Sequence, residues 1–182
     1  MQVVIGGNGA NDVAEPVPVT ELSAFSSPNA TPSEWSLGRA ALTNAEVYWL
    51  STVRPDGRPH VTPLLGVWLA GAMFFCTGPD ERKAKNLTKN HHCVLTTGHN
   101  TLDGFDLVLE GTAETVGDGV ELGRVADAYE AKYGRHFAPD GTWSGLGDAI
   151  RRSEIPVYRV VPATAFGFGK GDTYSQTRWL FA

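Results

Sequence analysis

One segment of the chain has the apolar spacing of an α-helix. Its apolar residues lie three or four positions apart, which places them on one helix face: Leu122, Val125, Ala126, Tyr129 and Tyr133. Asp118 and Glu121 have the separation of a capping pair, so they predict where this helix begins. Gly134 is expected to end it, because glycine adopts the backbone conformation of helix C-termini at little cost.

Short runs of apolar and β-branched residues, separated by turn residues, predict strands through most of the remaining chain. Residues 55–57 (Pro-Asp-Gly) are typical of a hairpin turn, and Ala70-Gly71 marks a second turn. The predicted strands are 47–53, 60–69, 72–77, 93–97, 105–116, 157–167 and 174–181. Gly111 lies inside the longest of these runs, where it favours a bend at a barrel corner. Shorter helices are expected at 33–45, 78–90 and 146–152.

The uncharged stretch at 61–79 is nearly as long as a membrane-spanning helix, which needs about 20 apolar residues. It contains two prolines and three glycines, and these residues interrupt a helix. We therefore interpret it as two strands joined by a turn, and we expect no association with a membrane.

The order of elements predicts a mainly β domain over 34–182, with about seven mostly antiparallel strands and helices inserted between them. Residues 1–33 are rich in Gly, Asn, Pro, Ser and Thr, so we expect a flexible N-terminal arm. Gly7 and Gly9 within this arm resemble the start of a dinucleotide-binding turn. Asp12 stands where the third glycine belongs, so we expect no nucleotide site there.

The composition is that of a globular domain, with 42% hydrophobic and 19% charged residues, and it excludes a collagen, a coiled coil or a disordered chain. The formal charge is −5, and four of the acidic residues lie in the first 38 positions, which contain no Lys or Arg. The rest of the chain is nearly neutral and has no basic face of the kind that binds duplex DNA. We expect no nucleic-acid partner.

The number of cysteines and the N-terminal residues indicate the cellular compartment of the protein. The chain has two cysteines, Cys76 and Cys93, which are too few for a disulfide framework at this length. Its first residues lack the basic start and the apolar stretch of a secretory signal. We therefore expect a reducing, cytoplasmic location.

Familiar catalytic motifs are missing from the sequence. It contains no Gly-x-Ser-x-Gly, His-Glu-x-x-His or Cys-x-x-Cys, and the glycines around Lys170 lack the spacing of a phosphate-binding P-loop. Four potential metal ligands occur close together, but neighbouring side chains on a strand point to opposite faces, so we expect no metal site. These residues are His91, His92, Cys93 and His99.

Basic residues are concentrated in one short segment. The chain has five lysines, and three of them follow Arg82 closely: Lys83, Lys85 and Lys89. Arg82 and Lys83 fall in the first turn of the predicted helix 78–90, where unpaired N–H groups and cationic side chains can bind a phosphate. The preceding uncharged hairpin can supply an apolar wall for a planar ring. The alternative is an ordinary solvated helix face.

These segments together resemble the pyridoxamine 5′-phosphate oxidase-like FMN-binding split-barrel family, and within it the flavin/deazaflavin oxidoreductase branch. The resemblance covers about residues 35–182 and is densest over 47–97. The segments that carry it are 49–53, 55–64, 75–78, 82–87, 110–113 and 177–179.

The resemblance implies a six-stranded antiparallel split β-barrel that forms a homodimer, with FMN or the deazaflavin coenzyme F-420 at each subunit interface. It assigns the cofactor phosphate to Arg82 and Lys83, with Lys85 at a further basic position. Along the ring it places six residues of the first hairpin: Ser51, Thr52, Val61, Thr62, Pro63 and Leu64. The end of the next strand adds Cys76 and Thr77, and near the C-terminus Arg178 and Trp179 are expected to close the site.

The implied activity is hydride transfer between the cofactor and a small organic substrate. The chemistry then belongs to the cofactor, so no catalytic residue is expected in the chain. Two alternatives remain: a non-catalytic protein that binds flavin or haem, and a pyridoxamine 5′-phosphate oxidase, whose basic C-terminal segment is poorly reproduced here. Glu81 stands where many relatives have a small residue, and its carboxylate repels a phosphate unless it points away.

Overall fold

The computed structural model describes Glu15, residues 17–141 and residues 143–182. The helices are α1 (Trp35–Asn44), α2 (Arg82–Leu87), α3 (Gly119–Phe137) and α4 (Leu146–Arg151). The strands are β1 (Val19–Leu22), β2 (Tyr48–Val53), β3 (Pro59–Leu64), β4 (Val67–Leu69), β5 (Ala72–Cys76), β6 (His92–Thr97), β7 (Gly104–Thr115), β8 (Val157–Lys170) and β9 (Ser175–Leu180). The glycines at 7 and 9 lie outside the described residues.

The strands form one antiparallel sheet in the order β1-β9-β8-β7-β6-β2-β3. The long strand β8 pairs with β7 along one edge and divides its other edge between two partners. Its first residues pair with β5, and residues 164–169 pair with β9. This division splits the sheet into two lobes and gives the predicted split-barrel architecture, with nine described strands in place of the six expected. Among the described strands β3 pairs with β2 alone, so the barrel is not closed and β3 has a free edge.

The predicted bend at Gly111 is confirmed. The register between β7 and β8 shifts between Glu110 and Gly111, which marks a β-bulge. A Cβ atom at Gly111 would lie 2.3 Å from the carbonyl oxygen of Val161, closer than any side chain tolerates. Glycine is therefore required at this corner because the neighbouring backbone occupies the space.

Two hydrophobic cores lie on the two sides of the sheet. The first fills the barrel and includes Tyr48, Phe75 and Trp179, all fully buried. The second lies between the helices α3 and α4 and the strands β4 and β5, and it contains the apolar face predicted for α3. The second core packs α4 against α3.

The prediction of a single strand over 60–69 is wrong. The chain breaks at Leu65 and Gly66, between β3 and β4. The hydroxyl of Tyr129 donates to the carbonyl oxygen of Leu65 at 3.0 Å, and that of Tyr133 lies 2.9 Å from the carbonyl oxygen of Gly66. Since α3 takes up these carbonyl groups, they are not available to a neighbouring strand.

The helix boundaries also differ in part from those predicted. The cap of α3 is confirmed, because the Asp118 carboxylate accepts a hydrogen bond from the backbone N–H of Glu121. Gly134 does not end α3, which continues to Phe137, whose ring packs near that of Tyr133. Helix α2 is shorter than predicted and spans six residues. Among the described residues, no helix is both long and apolar enough to cross a membrane.

Part of the expected N-terminal arm belongs to the sheet. Val19–Leu22 form β1 and pair with β9, and the backbone N–H of Ser27 donates to the carbonyl oxygen of Tyr174. This edge strand is attached by backbone hydrogen bonds, and most of its side chains are exposed. It therefore lacks the alternation of buried and exposed positions that reveals a strand in the sequence.

Candidate functional site

An open cleft of about 480 Å³ lies beside the free edge of β3. Its volume is in the range of pockets that hold small molecules and cofactors, which is roughly 300–1,000 Å³. The lining residues are Val47, Pro63, Leu64, Leu65, Cys76, Thr77, Glu81, Lys83, Trp143, Leu146 and Ile155. The cleft thus combines the end of β3, the end of β5, the start of α2 and the region around α4.

Most of the cleft wall is apolar. Trp143 lies on the loop before α4 and is partly exposed, and its indole ring meets the ring of His136 edge-on. Ile155 precedes Pro156, whose carbonyl oxygen accepts a hydrogen bond from the Thr77 backbone N–H at 3.2 Å. This bond ties the α4 side of the cleft to the end of β5. The wall suits a flat, apolar ring.

Lys83 supplies a buried positive charge to this wall. Its side chain is only 9% exposed, and its ammonium group contacts the carboxylate of Glu81. The other oxygen of that carboxylate accepts a hydrogen bond from the backbone N–H of Gly78 at 2.9 Å. The hydrogen bond from Lys83 holds the pKa of Glu81 below its usual range, so the two groups form an ion pair.

His60 on β3 lies within the influence of three cationic side chains. Partial burial lowers the pKa of His60, and the nearby charges of Arg54, Lys83 and Arg82 lower it further. His60 is therefore largely neutral at pH 7. Within the described part of the chain, Arg82 is exposed and forms no salt bridge. The region has an excess of positive charge that suits an anion.

A buried polar pair connects α2 to the barrel. The side-chain amide of Asn86 donates to the Thr52 hydroxyl at 2.9 Å, and that hydroxyl lies 3.5 Å from Nδ1 of His60. The amide oxygen of Asn86 is buried and has no hydrogen-bond partner among the described residues. Asn86 thus fixes α2 against β2 and holds Lys83 in position beside the cleft.

Cys76 brings the single thiol of the cleft wall. Burial raises the pKa of this thiol, so it stays protonated at neutral pH. A protonated, buried thiol is a poor nucleophile and a poor metal ligand. We therefore assign Cys76 a packing role in the cleft wall.

The structure brings five of the predicted site residues together in the cleft. They are Pro63, Leu64, Cys76, Thr77 and Lys83. Arg82 lies beside them on α2, whereas Lys85 is exposed and pairs with Asp80 at 3.4 Å. Lys83 and the ends of β3 and β5 therefore line one cleft, and their role in holding a cofactor stays a prediction.

The remaining hairpin residues do not share one face. Ser51 and Val61 are paired across β2 and β3 and point to the outer face of the sheet, where Val61 is 54% exposed. Thr52 and Thr62 point to the opposite face because side chains alternate along a strand. Within one chain, of these four residues only Thr52 and Thr62 lie on the face of the sheet against which α2 packs.

The two C-terminal candidates lie away from the cleft of their own chain. Arg178 pairs with Glu21 of β1, and Trp179 is fully buried in the barrel core, with its ring 5.3 Å from that of Trp35. Neither residue lines the cleft. A role of Arg178 at the site stays a prediction that needs a second subunit, whereas the buried Trp179 has no exposed surface that a ligand can contact.

Sequence reasoning missed several residues of the site. Trp143, Leu146 and Ile155 lie in a segment without clear periodicity, and His60 and Asn86 carry no motif of their own. Asn86 is 34 positions from Thr52 in the sequence, so their contact has no local signal. The uncharged stretch at 141–147, which contains Trp143, is the one sign in the sequence of this part of the apolar wall.

The histidines near Cys93 bind backbone groups. Nδ1 of His91 lies 3.3 Å from the Ala113 carbonyl oxygen, and Nδ1 of His99 lies 3.2 Å from that of Phe105. In the part of the chain that the structure describes, no three His, Cys, Asp or Glu residues are grouped so that they could hold a metal ion.

Comparisons with known proteins concern the family and the fold of the chain. The family model described as pyridoxamine 5′-phosphate oxidase matches residues 38–154, which include most of α1, all of α2 and every residue of the cleft except Ile155. A search of the curated proteins found no match.

Solved structures of low sequence identity share the fold. A conserved hypothetical protein from Mycobacterium tuberculosis superimposes with a TM-score of 0.63 at 20% identity, over 79% of this chain and 88% of its own. A haem-binding protein from Mycobacterium smegmatis has a TM-score of 0.63 at 17% identity, over 81% of this chain and 58% of its own. An F-420 reductase has a TM-score of 0.54 at 20% identity, over 70% of this chain and 94% of its own. Since the family model matches well over half of the chain, the protein belongs to the pyridoxamine 5′-phosphate oxidase family and has its split-barrel fold.

Proposed function

We propose that the protein is an oxidoreductase that binds FMN, or alternatively the deazaflavin coenzyme F-420, and acts on a small, uncharged organic substrate. The observation that carries this proposal is the cleft beside β3, where a buried lysine, further cations and an apolar wall meet at a free strand edge. Both cofactors combine a phosphate with a flat tricyclic ring, and the cleft has groups suited to each part.

Lys83 and Arg82 are the proposed phosphate ligands. Lys83 is buried and lines the cleft, and Arg82 is exposed beside it without an ion pair among the described residues. Charge-assisted hydrogen bonds from such groups are about twice as strong as neutral ones. Arg54 and the exposed Lys85 add to the positive potential around them. These charges support the binding of a phosphate monoester over that of a neutral ligand.

The free edge of β3 is the proposed support for the ring. An unpaired strand edge presents backbone N–H and C=O groups at regular spacing, and the polar edge of a flavin-type ring offers complementary acceptors and donors. Pro63 and Leu64 on this edge, with Cys76 across the cleft, provide an apolar surface for the ring faces. This arrangement supports a role of the strand end in orientation.

The bound cofactor would supply hydride transfer, and the chain would bind it, orient it and keep water away. Among the described lining residues, Glu81 and Cys76 do not have the properties of a general acid or base at neutral pH, because Glu81 is an ion-paired carboxylate and burial keeps the thiol of Cys76 protonated. This chemistry supports a site in which the cofactor reacts and the protein shapes the surrounding space.

The lining residues favour an uncharged substrate. Lys83 is the single cation among the described lining residues, and the cofactor phosphate would occupy it. A phosphorylated substrate such as pyridoxine 5′-phosphate needs a second cationic site, which this wall does not offer. Trp143, Leu146 and Leu65 instead present apolar surface.

A haem protein is less well supported by the cleft. Haem iron is held by His, Cys, Met or Tyr side chains, and among the described lining residues only Cys76 belongs to this set. Burial keeps the thiol of Cys76 protonated, which disfavours ligation. The haem-binding protein from Mycobacterium smegmatis therefore supports the shared fold and does not change the proposed cofactor.

We also propose that the protein forms a homodimer through the outer face of β2, β3 and β6. Trp49 is 51% exposed on this face, and Val53 and Val61 are exposed beside it. A contiguous apolar patch on a sheet face is typical of an association surface. A second copy on this face would bring its own residues close to β3.

Titration with cofactors tests the proposal. The purified protein is titrated separately with FMN, F-420 and haem, and binding is followed by flavin or deazaflavin fluorescence and by the haem absorption band. We expect FMN or F-420 to bind, and the loaded protein to be reduced or reoxidised by an uncharged acceptor. Binding of haem alone, or of none of the three, would contradict the proposal.

A further inference from the structure

The carboxylate of Glu81 occupies the place of an anion in the cleft. We infer that Glu81 sets the affinity for the cofactor phosphate, because it acts as the counter-ion of Lys83 and must leave when the phosphate binds. This inference rests on the proposed function and assigns a specificity-determining residue to the same site.

The contacts of Glu81 are those that a phosphate would make. One of its oxygens accepts a hydrogen bond from the Gly78 backbone N–H at 2.9 Å, and the other contacts the ammonium group of Lys83. A backbone N–H and a buried ammonium are typical donors to phosphate oxygens in proteins. The protein therefore fills this position with one of its own oxyanions.

The two partners differ in how easily they can separate. The side chain of Glu81 is 50% exposed, whereas that of Lys83 is 9% exposed. Glu81 can rotate into water at little desolvation cost, but Lys83 cannot leave the wall and needs an anion beside it. Another anion can therefore replace Glu81 beside Lys83, whereas Lys83 stays in the wall.

The exchange selects for ligand charge. A phosphate monoester carries close to two negative charges at neutral pH, so it attracts Lys83 and Arg82 more strongly than one carboxylate does. A neutral ligand of the same ring structure gains nothing from displacing Glu81. Glu81 therefore lowers the affinity for every anion and leaves only a strongly charged one able to bind.

The variant Glu81→Gln separates charge from shape. Glutamine has nearly the same volume and keeps an oxygen that accepts from Gly78, but it no longer neutralises Lys83 or repels the phosphate. We expect the Kd for FMN to fall about tenfold, the effect of removing one unit charge at contact distance in a partly exposed site. The Kd for riboflavin, which lacks the phosphate, should change by less than about twofold.

A neighbouring carboxylate provides the matched control. Asp80 is 98% exposed and pairs with Lys85 at 3.4 Å, outside the cleft lining. Asp80→Asn makes the same change in net charge, and we expect it to alter the Kd for FMN by less than about twofold because exposed pairs are screened. If Glu81→Gln does not fold, Glu81→Asp shortens the side chain away from Lys83 and should tighten FMN binding to a smaller extent.

The outcomes separate the inference from the proposed function. If the wild-type protein binds FMN and Glu81→Gln binds it equally or more weakly, the inference is wrong and the proposed function stands. If neither FMN nor F-420 binds, the proposed function is wrong. The thermal stabilisation of each protein by inorganic phosphate then tests the inference. Greater thermal stabilisation of Glu81→Gln than of the wild type by phosphate supports it, and equal stabilisation overturns it.

Discussion

Lys83 is buried and Lys132 is partly buried, and the surroundings of these two lysines differ. Lys83 lies in the cleft wall and is neutralised by the movable carboxylate of Glu81. Lys132 lies between α3 and the barrel, where its ammonium group donates to the Tyr48 hydroxyl at 2.7 Å and to the Gly66 carbonyl oxygen at 3.1 Å. The first lysine has an exchangeable partner, whereas the second is held by fixed neutral acceptors.

Two aromatic rings also lie close to the ammonium group of Lys132. Its nitrogen lies 4.9 Å from the ring centroid of Tyr48 and 5.3 Å from that of Tyr133, distances at which a cation is attracted by the ring faces. Such a lysine joins two layers of the fold and has no free position for a ligand. A buried lysine thus indicates a binding site only when its partner can be replaced.

Replacement of Lys83 should have the largest effect on binding. Lys83→Met keeps the apolar stem and removes the charge, so we expect the Kd for FMN to rise by roughly 100-fold, the value of one or two charge-assisted hydrogen bonds. The free energy of unfolding should change by less than about 1 kcal/mol, because Glu81 can turn to solvent. Fluorescence titration and urea unfolding measure the two quantities. An unchanged Kd for FMN in Lys83→Met would mean that Lys83, like Lys132, has no role in ligand binding.

Replacement of Lys132 should show the opposite pattern. Lys132→Met removes the donor to the Tyr48 hydroxyl and one of the two donors to the Gly66 carbonyl, and we expect a loss of about 1–3 kcal/mol in the free energy of unfolding. The Kd for FMN should stay within about twofold of the wild-type value, since Lys132 does not line the cleft. The same two measurements apply. Loss of FMN binding in a folded Lys132→Met protein would show that Lys132 is also needed for ligand binding, so the distinction between a binding and a structural lysine would be wrong.

The pH dependence of stability should also distinguish Lys132. Burial lowers the pKa of Lys132 to about 8, against an ordinary value of 10.5, although Glu46 opposes the shift. Between these values the unfolded chain binds more protons than the folded one, so this group makes stability rise as the pH increases from about 8 towards 10.

Comparison with Lys132→Met isolates this contribution. Burial raises the pKa values of Tyr133 and Cys93 to about 12, and such groups make stability fall at alkaline pH. Both proteins contain them, so the difference between their free energies of unfolding cancels these effects. We expect that difference, measured in urea at pH 7 and pH 9.5, to grow in favour of the wild type. A constant difference would indicate that Lys132 titrates normally.

Replacement of Arg82 should have the smallest effect. Arg82 is exposed, so its interaction with a phosphate is screened by water and salt. For Arg82→Ala we expect a rise of about three- to fivefold in the Kd for FMN at low salt, with a smaller rise at 0.5 M salt. Stability should not change measurably. An effect of Arg82→Ala as large as that of Lys83→Met would mean that burial does not decide the strength of the phosphate contact.

The sequence predicts those features whose cause is local. The apolar face of α3, the cap at Asp118 and the bulge at Gly111 follow from spacing and from the absence of a side chain at one position. The basic residues at 82 and 83 stand out because lysine is scarce in this chain.

The remaining features depend on contacts between distant parts of the chain. The break after β3 is set by Tyr129 and Tyr133, which lie more than 60 positions away from the carbonyl groups they contact. The counter-ion role of Glu81 is visible only once both of its oxygens are located. Strand β1 is stabilised by backbone pairing and leaves almost no pattern in its side chains.

The divided edge of β8 has a consequence for how the protein folds. This one strand joins β5, β7 and β9, so neither lobe of the sheet is complete before it is in place. During synthesis the ribosome releases β8 only after α1 to α4 and the first seven strands. Those earlier elements leave the ribosome with unpaired strand edges and an incomplete core. They stay open to misfolding and aggregation until the late strand β8 pairs with them.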